Sequence, residues 1–307
     1  MSPLVAALDD YLGLRRSLGY KLERAGELLA DFVAGLDRAG VEHLTVEAAV
    51  AWALQAEDTE SSWRAQRLGV VRGFARYLHA IDPTHQVPPT GLLPRGRRPA
   101  PFLYDAADIA SLMAAARLLR SPLRAATMET LIGLAAVTGL RVSELLRLDR
   151  ADVSVDIDVL AVRNTKLGRS RHVPLHPSAT TALVDYLRRR EQLFPRPAGA
   201  ALFISTTGTR LRPGNLWAGF VEVVELAGLP SRRGRHRRRV GDLRHSFAVQ
   251  TLLDWHTAEV DIGPLLPVLS TYLGHVSPAS TYWYLSASPP LLAAAARRLH
   301  HPAPGTA

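Results

Sequence analysis

The chain has 307 residues, 47% of them hydrophobic and 21% charged, a balance that suits a folded protein and a length that suits two cores. It has no cysteine, which excludes disulfides, thiolate nucleophiles and cysteine-ligated zinc or iron–sulfur sites, and it has no apolar run long enough to read as a membrane span. The formal net charge of +9 points to a polyanionic partner, because a basic surface releases condensed counterions when it meets phosphates; the alternative is a coding bias that inflates arginine.

The N-terminus lacks the basic region, apolar region and cleavage site of a signal peptide, so a cytoplasmic protein is expected. Leu4, Leu8, Tyr11 and Leu12 recur at helical spacing, and Leu28, Leu29, Phe32, Val33 and Leu36 form a second stripe. Thr45 reads as the N-cap of a third helix through Trp52 and Leu54; Trp63, Leu68, Val71, Phe74 and Leu78 predict a fourth. Four short amphipathic helices can close a small bundle over residues 1–82. Six prolines between Pro83 and Pro101, together with Arg95, Arg97 and Arg98, predict an extended basic linker over 83–101 and a domain boundary there.

Residues 102–307 read as a second, mixed domain, so the fold class is mainly α with a small β-sheet (α+β). Asp105 is placed to cap a helix through Ile109, Leu112 and Met113, and a buried helix over 122–137 ends at Thr138-Gly139. A short helix follows from Ser143. Strands near 155–163 and 171–175 flank the turn Thr165-Lys166-Leu167-Gly168, and ALFIS (201–205) reads as a third strand. Helices are predicted around 178–194, 214–227, 242–255, 262–274, 278–285 and 289–299. RRGRHRRR (232–239) is a charge run expected as an exposed loop that either contacts DNA or is merely solvated. Leu291, Leu292 and the run Ala293 to Ala296 read as a small-residue helix.

Of 37 basic residues, only Lys21 and Lys166 are lysines. Arginine serves for generic phosphate contacts but is effectively never deprotonated, so a retained lysine is suited to give up a proton.

Four segments stand in order: TGLRVSELLRL (138–148), NTKLGRSRHVPL (164–175), DLRHSFA (242–248) and LGHVSPASTYWYL (273–285). Their content and order closely resemble the tyrosine recombinase (phage integrase) family, over roughly residues 102–300, and more the integrases of mobile elements than chromosome resolvases. The first domain resembles that family's core-binding, DNA-binding domain and the second its catalytic domain. The resemblance implies that Arg141 and Arg244 are the two catalytic arginines, Lys166 the mobile catalytic lysine, His275 the Leu-Gly-His histidine and Tyr284 the nucleophile. Glu144 falls where the family has an acidic residue that braces the site, and His245 directly follows Arg244 as a further supporting group. It also implies a double-stranded DNA partner, a tetramer on paired sites and strand exchange through a Holliday junction.

The residue types fit that chemistry independently. Two guanidinium forks can hold the non-bridging oxygens of a phosphodiester on which charge develops. A tyrosine near its ordinary pKa is ionised in only about one molecule in a thousand at pH 7, and neighbouring cations favour the ionised form. Covalent attack stores the bond in a phosphotyrosyl ester, and Lys166 can protonate the leaving 5′-oxygen. Such a scheme uses neither metal nor nucleotide cofactor, and no Walker-type loop or His-Glu-x-x-His pair occurs in the sequence. Tyr282 and Tyr284 would point about 200° apart on a helix, so one alone can face the arginines; the family spacing selects Tyr284.

One position departs from the family pattern. Three residues before Arg244 the family usually carries histidine or lysine, and here stands Gly241. A residue at that spacing shares the face of Arg244, so a group is missing unless His236 swings in; His245 is rotated about 100° away. This leaves room for a DNA-binding protein with an inactive site. A relaxing topoisomerase of the related type IB class is the other alternative. Arg95, Arg97, Arg98, Arg232, Arg233, Arg235, Arg237, Arg238 and Arg239 are the expected DNA-backbone contacts.

Overall fold

The computed structural model describes residues 2–55, 61–94, 100–156, 158–163, 170–230, 232–233, 236–275, 277, 281–282 and 291–292. The chain divides into two compact units, Met1–Arg98 and Pro99–Ala307.

The first unit is a helical bundle of α1 (Pro3–Ser17), α2 (Glu23–Arg38), α3 (Val46–Leu54) and α4 (Ser61–Ile81). Its helices start where the local chemistry dictates: the Ser2 hydroxyl accepts from the Val5 N–H at 3.4 Å with Pro3 behind it, and Thr45 accepts from Ala48 at 3.1 Å. Leu4, Leu8, Leu12, Leu29, Phe32, Val33, Leu36, Trp52, Leu68, Phe74 and Leu78 fill one core. Leu28, counted with the second stripe, is only partly buried, and Leu54 is exposed.

Residues 83–94, the greater part of the expected extended linker, are docked onto this bundle. The buried Arg72 donates to the carbonyls of Pro88 at 2.7 Å and Pro89 at 2.8 Å, and Gln86 donates through its backbone to Leu44. Proline lacks a donor but keeps its carbonyl, and Arg72 exploits that acceptor. Arg95, Arg97 and Arg98 lie outside the described residues.

The second unit is organised around α6 (Pro122–Thr138), which is buried along nearly its whole length and packs against α5 (Ala106–Arg117), α8 (Pro177–Leu193) and α10 (Val240–Thr257). Between them come the short α7 (Val142–Leu145) and the sheet β1 (Val153–Ser154), β2 (Val159–Val162) and β3 (Arg171–Pro174), antiparallel in the order β1-β2-β3. Leu160 faces Val173 across β2 and β3, and both are fully buried, which fixes the register. α9 (Pro213–Leu226) packs on α5, and α11 (Ile262–Leu273) on α10.

Two expectations for this unit need correction. The 201–205 segment makes isolated bridges, Ala201 with Asp149 and Ile204 with Arg210, but no strand. Its apolar side chains are buried; the chain reverses immediately afterwards, with the Ser205 N–H donating to the Thr209 carbonyl at 2.7 Å, so no ladder extends. An apolar run reports burial and cannot by itself distinguish pairing. The charge run contains a small antiparallel pair, β4 (Arg232–Arg233) with β5 (His236–Arg237), in place of a featureless loop.

Among the described residues, no helix is long and apolar enough to cross a membrane. The helices expected over 278–285 and 289–299 fall mostly outside the described residues.

Candidate active site

Two glycines in the left-handed region shape the site. Gly139 (φ +59°) ends α6 and turns the chain into Leu140 and Arg141; a Cβ there would lie 2.6 Å from a ring carbon of Phe247. Gly274 (φ +67°) ends α11 just before His275; a Cβ there would lie 2.8 Å from an Nη atom of Arg171 and 3.3 Å from one of Arg141. Both positions demand glycine twice over, for conformation and for space. These are the glycines of the Thr-Gly-Leu-Arg and Leu-Gly-His segments.

The end of α11 presents three consecutive carbonyls, and each receives a different arginine. Arg171 donates from Nε to Tyr272 at 2.8 Å, Arg244 from Nη2 to Leu273 at 2.7 Å, and Arg141 from Nη2 to Gly274 at 2.6 Å. A helix C-terminus leaves its last carbonyls without intrahelical partners and carries partial negative charge, so cations belong there. Arg244, in α10, also donates to the Gly139 carbonyl at 2.8 Å and so ties the ends of α6 and α11 together.

Glu144 braces the arginines from the other side. Its side chain is 2% exposed, and it accepts from the Arg141 backbone N–H at 3.0 Å, from Arg141 Nη1 at 2.8 Å, and from Arg171 Nη1 and Nη2 at 3.1 and 2.9 Å. Burial pushes its carboxyl up, but the hydrogen bonds from Arg171 and the Arg141 backbone, with the guanidinium charges, outweigh burial and bring it down to about 2. It is an anion at any physiological pH.

His275 lies at the centre of this cationic ring. Burial first, and then the charges of Arg244, Arg141, His245 and Arg171, hold its imidazole down at about 4. Its Nδ1 is 2.7 Å from the Thr281 hydroxyl. If that hydroxyl donates, the neutral ring keeps its proton on Nε2 and can donate from there. His245, half-buried on the next position of α10, enters as one of the charges felt by His275.

The structure therefore brings together Arg141, Glu144, Arg244, His245 and His275 out of three of the four separated segments. Lys166 and Tyr284 lie outside the described residues, as does Arg235. Tyr282 is described and is 52% exposed. Gly241, in the first turn of α10, has open space where a Cβ would stand.

Sequence reasoning missed Arg171. A signal was available: Arg171 and Val173 are two apart on β3 and so share a face, and Val173 is fully buried. An arginine on an inward strand face needs an anion, and Glu144 supplies it.

The charge run divides in two. Arg237 is exposed, 5.9 Å above the Trp217 ring. Arg238, expected on the exposed loop, points inward: it donates from Nε to the Pro230 carbonyl at 2.9 Å, pairs with Asp108 at 3.4 Å and lies 4.8 and 5.0 Å from the rings of Phe102 and Tyr104. Arg239 precedes α10 and pairs with Asp242. The side chains of Arg232, Arg233 and His236 lie outside what is described.

One group among the described residues has metal-ligand geometry. In the first unit, His43, Asp82 and His85 bring ligand atoms within 4.8 Å of one another. The Leu44 N–H donates to His85 Nδ1 at 3.0 Å. A backbone amide can only donate, so the neutral ring holds its proton on Nε2 and has no lone pair left for an ion. These residues fasten the segment after α4.

Fold and site together define a DNA strand-exchange enzyme class, the tyrosine recombinases. A model of the phage integrase family matches residues 103–289. The chain belongs to that family. It is 45% identical over 306 residues to y4rB of Sinorhizobium fredii, assigned as an integrase/recombinase, covering 97% of this chain and 98% of that one. It is 31% identical to the tyrosine recombinase XerC of Roseiflexus sp., over 73% of this chain and 68% of the relative. In fold it is similar to the Tn1549 transposon integrase in complex with transposon right end DNA, with a TM-score of 0.68 at 17% identity, covering 98% of this chain and all of that one.

Proposed function

We propose that this chain cuts and rejoins double-stranded DNA at specific sites through a 3′-phosphotyrosyl link at Tyr284, and exchanges strands as a tetramer on paired sites through a Holliday junction. The observation that carries the reading is the convergence of Arg141 and Arg244 on adjacent carbonyls directly before His275.

In this scheme Arg141 and Arg244 are the catalytic arginines. Each guanidinium has five N–H donors, and the backbone contacts fix its plane while others turn to the non-bridging oxygens of the scissile phosphate. Neutral His275 adds a hydrogen bond without adding charge. The Tyr284 oxygen attacks phosphorus as its proton passes to solvent, the bond to the 5′-oxygen breaks, and Lys166 protonates that leaving oxygen. A 5′-hydroxyl from a partner strand then attacks the phosphotyrosyl ester and restores the tyrosine. Residues 1–82 serve as the core-binding domain, 83–101 as the connection and 102–307 as the catalytic domain, with Arg232, Arg233, Arg235, Arg237 and Arg239, and Arg95, Arg97 and Arg98 before them, on the DNA backbone. The protein works in the cytoplasm, where its substrate is.

The Lys166 step has a direct test. Lys166→Arg keeps the charge and should slow single-turnover cleavage by about 10²-fold or more, the usual scale of acid catalysis. A substrate with sulfur at the 5′-bridging position leaves without a proton and should largely restore the rate. Without that restoration, Lys166 is a phosphate clamp and the acid is another group.

A further inference from the structure

We infer that Arg171 is a positioning residue for DNA cleavage, holding Arg141 in register with the scissile phosphate through the shared carboxylate of Glu144. The inference rests on the recombinase reading above and deepens it.

All three nitrogens of the Arg171 guanidinium are committed within the protein. Nε goes to the Tyr272 carbonyl at 2.8 Å, Nη1 to Glu144 Oε1 at 3.1 Å and Nη2 to Glu144 Oε2 at 2.9 Å. Its side chain is 14% exposed, against 31% for that of Arg141. A guanidinium so engaged is a poor phosphate ligand and a good strut. The fork is bidentate and planar, a geometry that lysine cannot reproduce.

Without Arg171, the two oxygens of Glu144 would answer to Arg141 alone. With Arg171 in place, one carboxylate oxygen is shared between Arg141 Nη1 and Arg171 Nη1, and the other between the Arg141 backbone N–H and Arg171 Nη2. The carboxylate plane is therefore set by Arg171, and the carboxylate plane sets Arg141. Arg171 also grips α11 at Tyr272, two residues from the Gly274 carbonyl that holds the far side of Arg141. It thus fixes both anchors of the catalytic arginine, and Gly274 must lack a Cβ because Arg171 passes 2.8 Å from where one would be.

The position of this strut in the chain adds a second consequence. Arg171 is the first residue of β3, five positions after Lys166 in the sequence, so the same side chain that sets Arg141 anchors the start of that strand to α7 and α11.

The test compares wild type, Arg171→Lys and Arg171→Gln of the full chain in single-turnover cleavage of two suicide duplexes, one with an ordinary scissile phosphodiester and one with a methylphosphonate there. The methylphosphonate lacks one anionic oxygen, so it asks less of a well-placed Arg141. On the phosphodiester, both variants should cleave about ten- to a hundredfold more slowly, the scale of small misplacements in an active site, with duplex affinity within about twofold of wild type. On the methylphosphonate the Arg171→Lys defect should shrink to about threefold or less, because the lost interaction is the one that substrate needs least. A defect of equal size on both substrates would make Arg171 a packing residue only. Full phosphodiester rates in both variants would likewise overturn the inference while leaving the recombinase reading intact. A wild type that forms no covalent adduct would instead overturn that reading, and the inference with it. Arg171→Lys retains the charge at the buried carboxylate, so it remains informative should Arg171→Gln fail to fold.

Discussion

Arg141 Nη2 lies 2.6 Å from the carbonyl oxygen of Gly274, joining two residues 133 positions apart at the point where the chain enters His275. The contact adds the arginine charges to burial, the larger influence on the histidine, and it gives the site a measurable electrostatic signature.

That signature is the titration of His275. Held near 4 by burial and by Arg244, Arg141, His245 and Arg171, the ring is neutral in the folded protein through the range where an unfolded histidine, near 6.5, takes up a proton. The folded state thus binds fewer protons than the unfolded one between those values. The contribution of His275 to stability is full above about 6.5 and is lost as pH falls toward 4. NMR of the ring should show no protonation above about pH 5 in the free protein, and an upward shift when DNA phosphate is bound. A midpoint at 6 or above without DNA would mean the ring is not buried beside the arginines as described.

Gly241 offers a gain-of-function test. Open space stands where its Cβ would be, so a side chain can leave the backbone there. Gly241→His should raise single-turnover cleavage by about tenfold, in the range for one acid–base group. If His236 already fills the role, His236→Ala will cripple the wild type and matter little beside Gly241→His. No gain in the first and full activity in the second would argue for a site that works without this group.

Arg237 and Arg238 are neighbours with opposite fates. Arg237→Ala should flatten the salt dependence of duplex binding by about one unit of log–log slope, as expected for one lost phosphate contact. Arg238→Ala should leave that slope unchanged and lower the melting temperature, because Arg238 is spent on Asp108, the Pro230 carbonyl and two aromatic rings. Equal salt effects from the two would show that Arg238 leaves these partners for DNA.

Much of this was readable from residue types and spacing, and the failures have physical causes. The N-caps at Thr45 and Asp105 and the stop at Gly139 are local chemistry, and they appear where the sequence places them. The chemical segments were visible because each carries an unusual residue in a short frame. Arg171 was not, because its partner Glu144 is 27 positions away and only the fold brings them together. The docking of 83–94 was hidden likewise: it depends on Arg72 reaching across to Pro88 and Pro89, a long-range contact that composition does not encode. Arg238 was hidden by its company, since five other arginines in the same run invite a single solvated reading.

The central claim is the covalent link. Incubation with a nicked suicide duplex that lets the cleaved end diffuse away should trap a protease-sensitive protein–DNA adduct, and peptide mapping should place it on Tyr284. Tyr284→Phe should abolish the adduct with duplex binding nearly intact, and Tyr282→Phe, altering a side chain 52% exposed, should retain it. An adduct mapped to Tyr282, or none from the wild type on any cleavable duplex, would contradict the account.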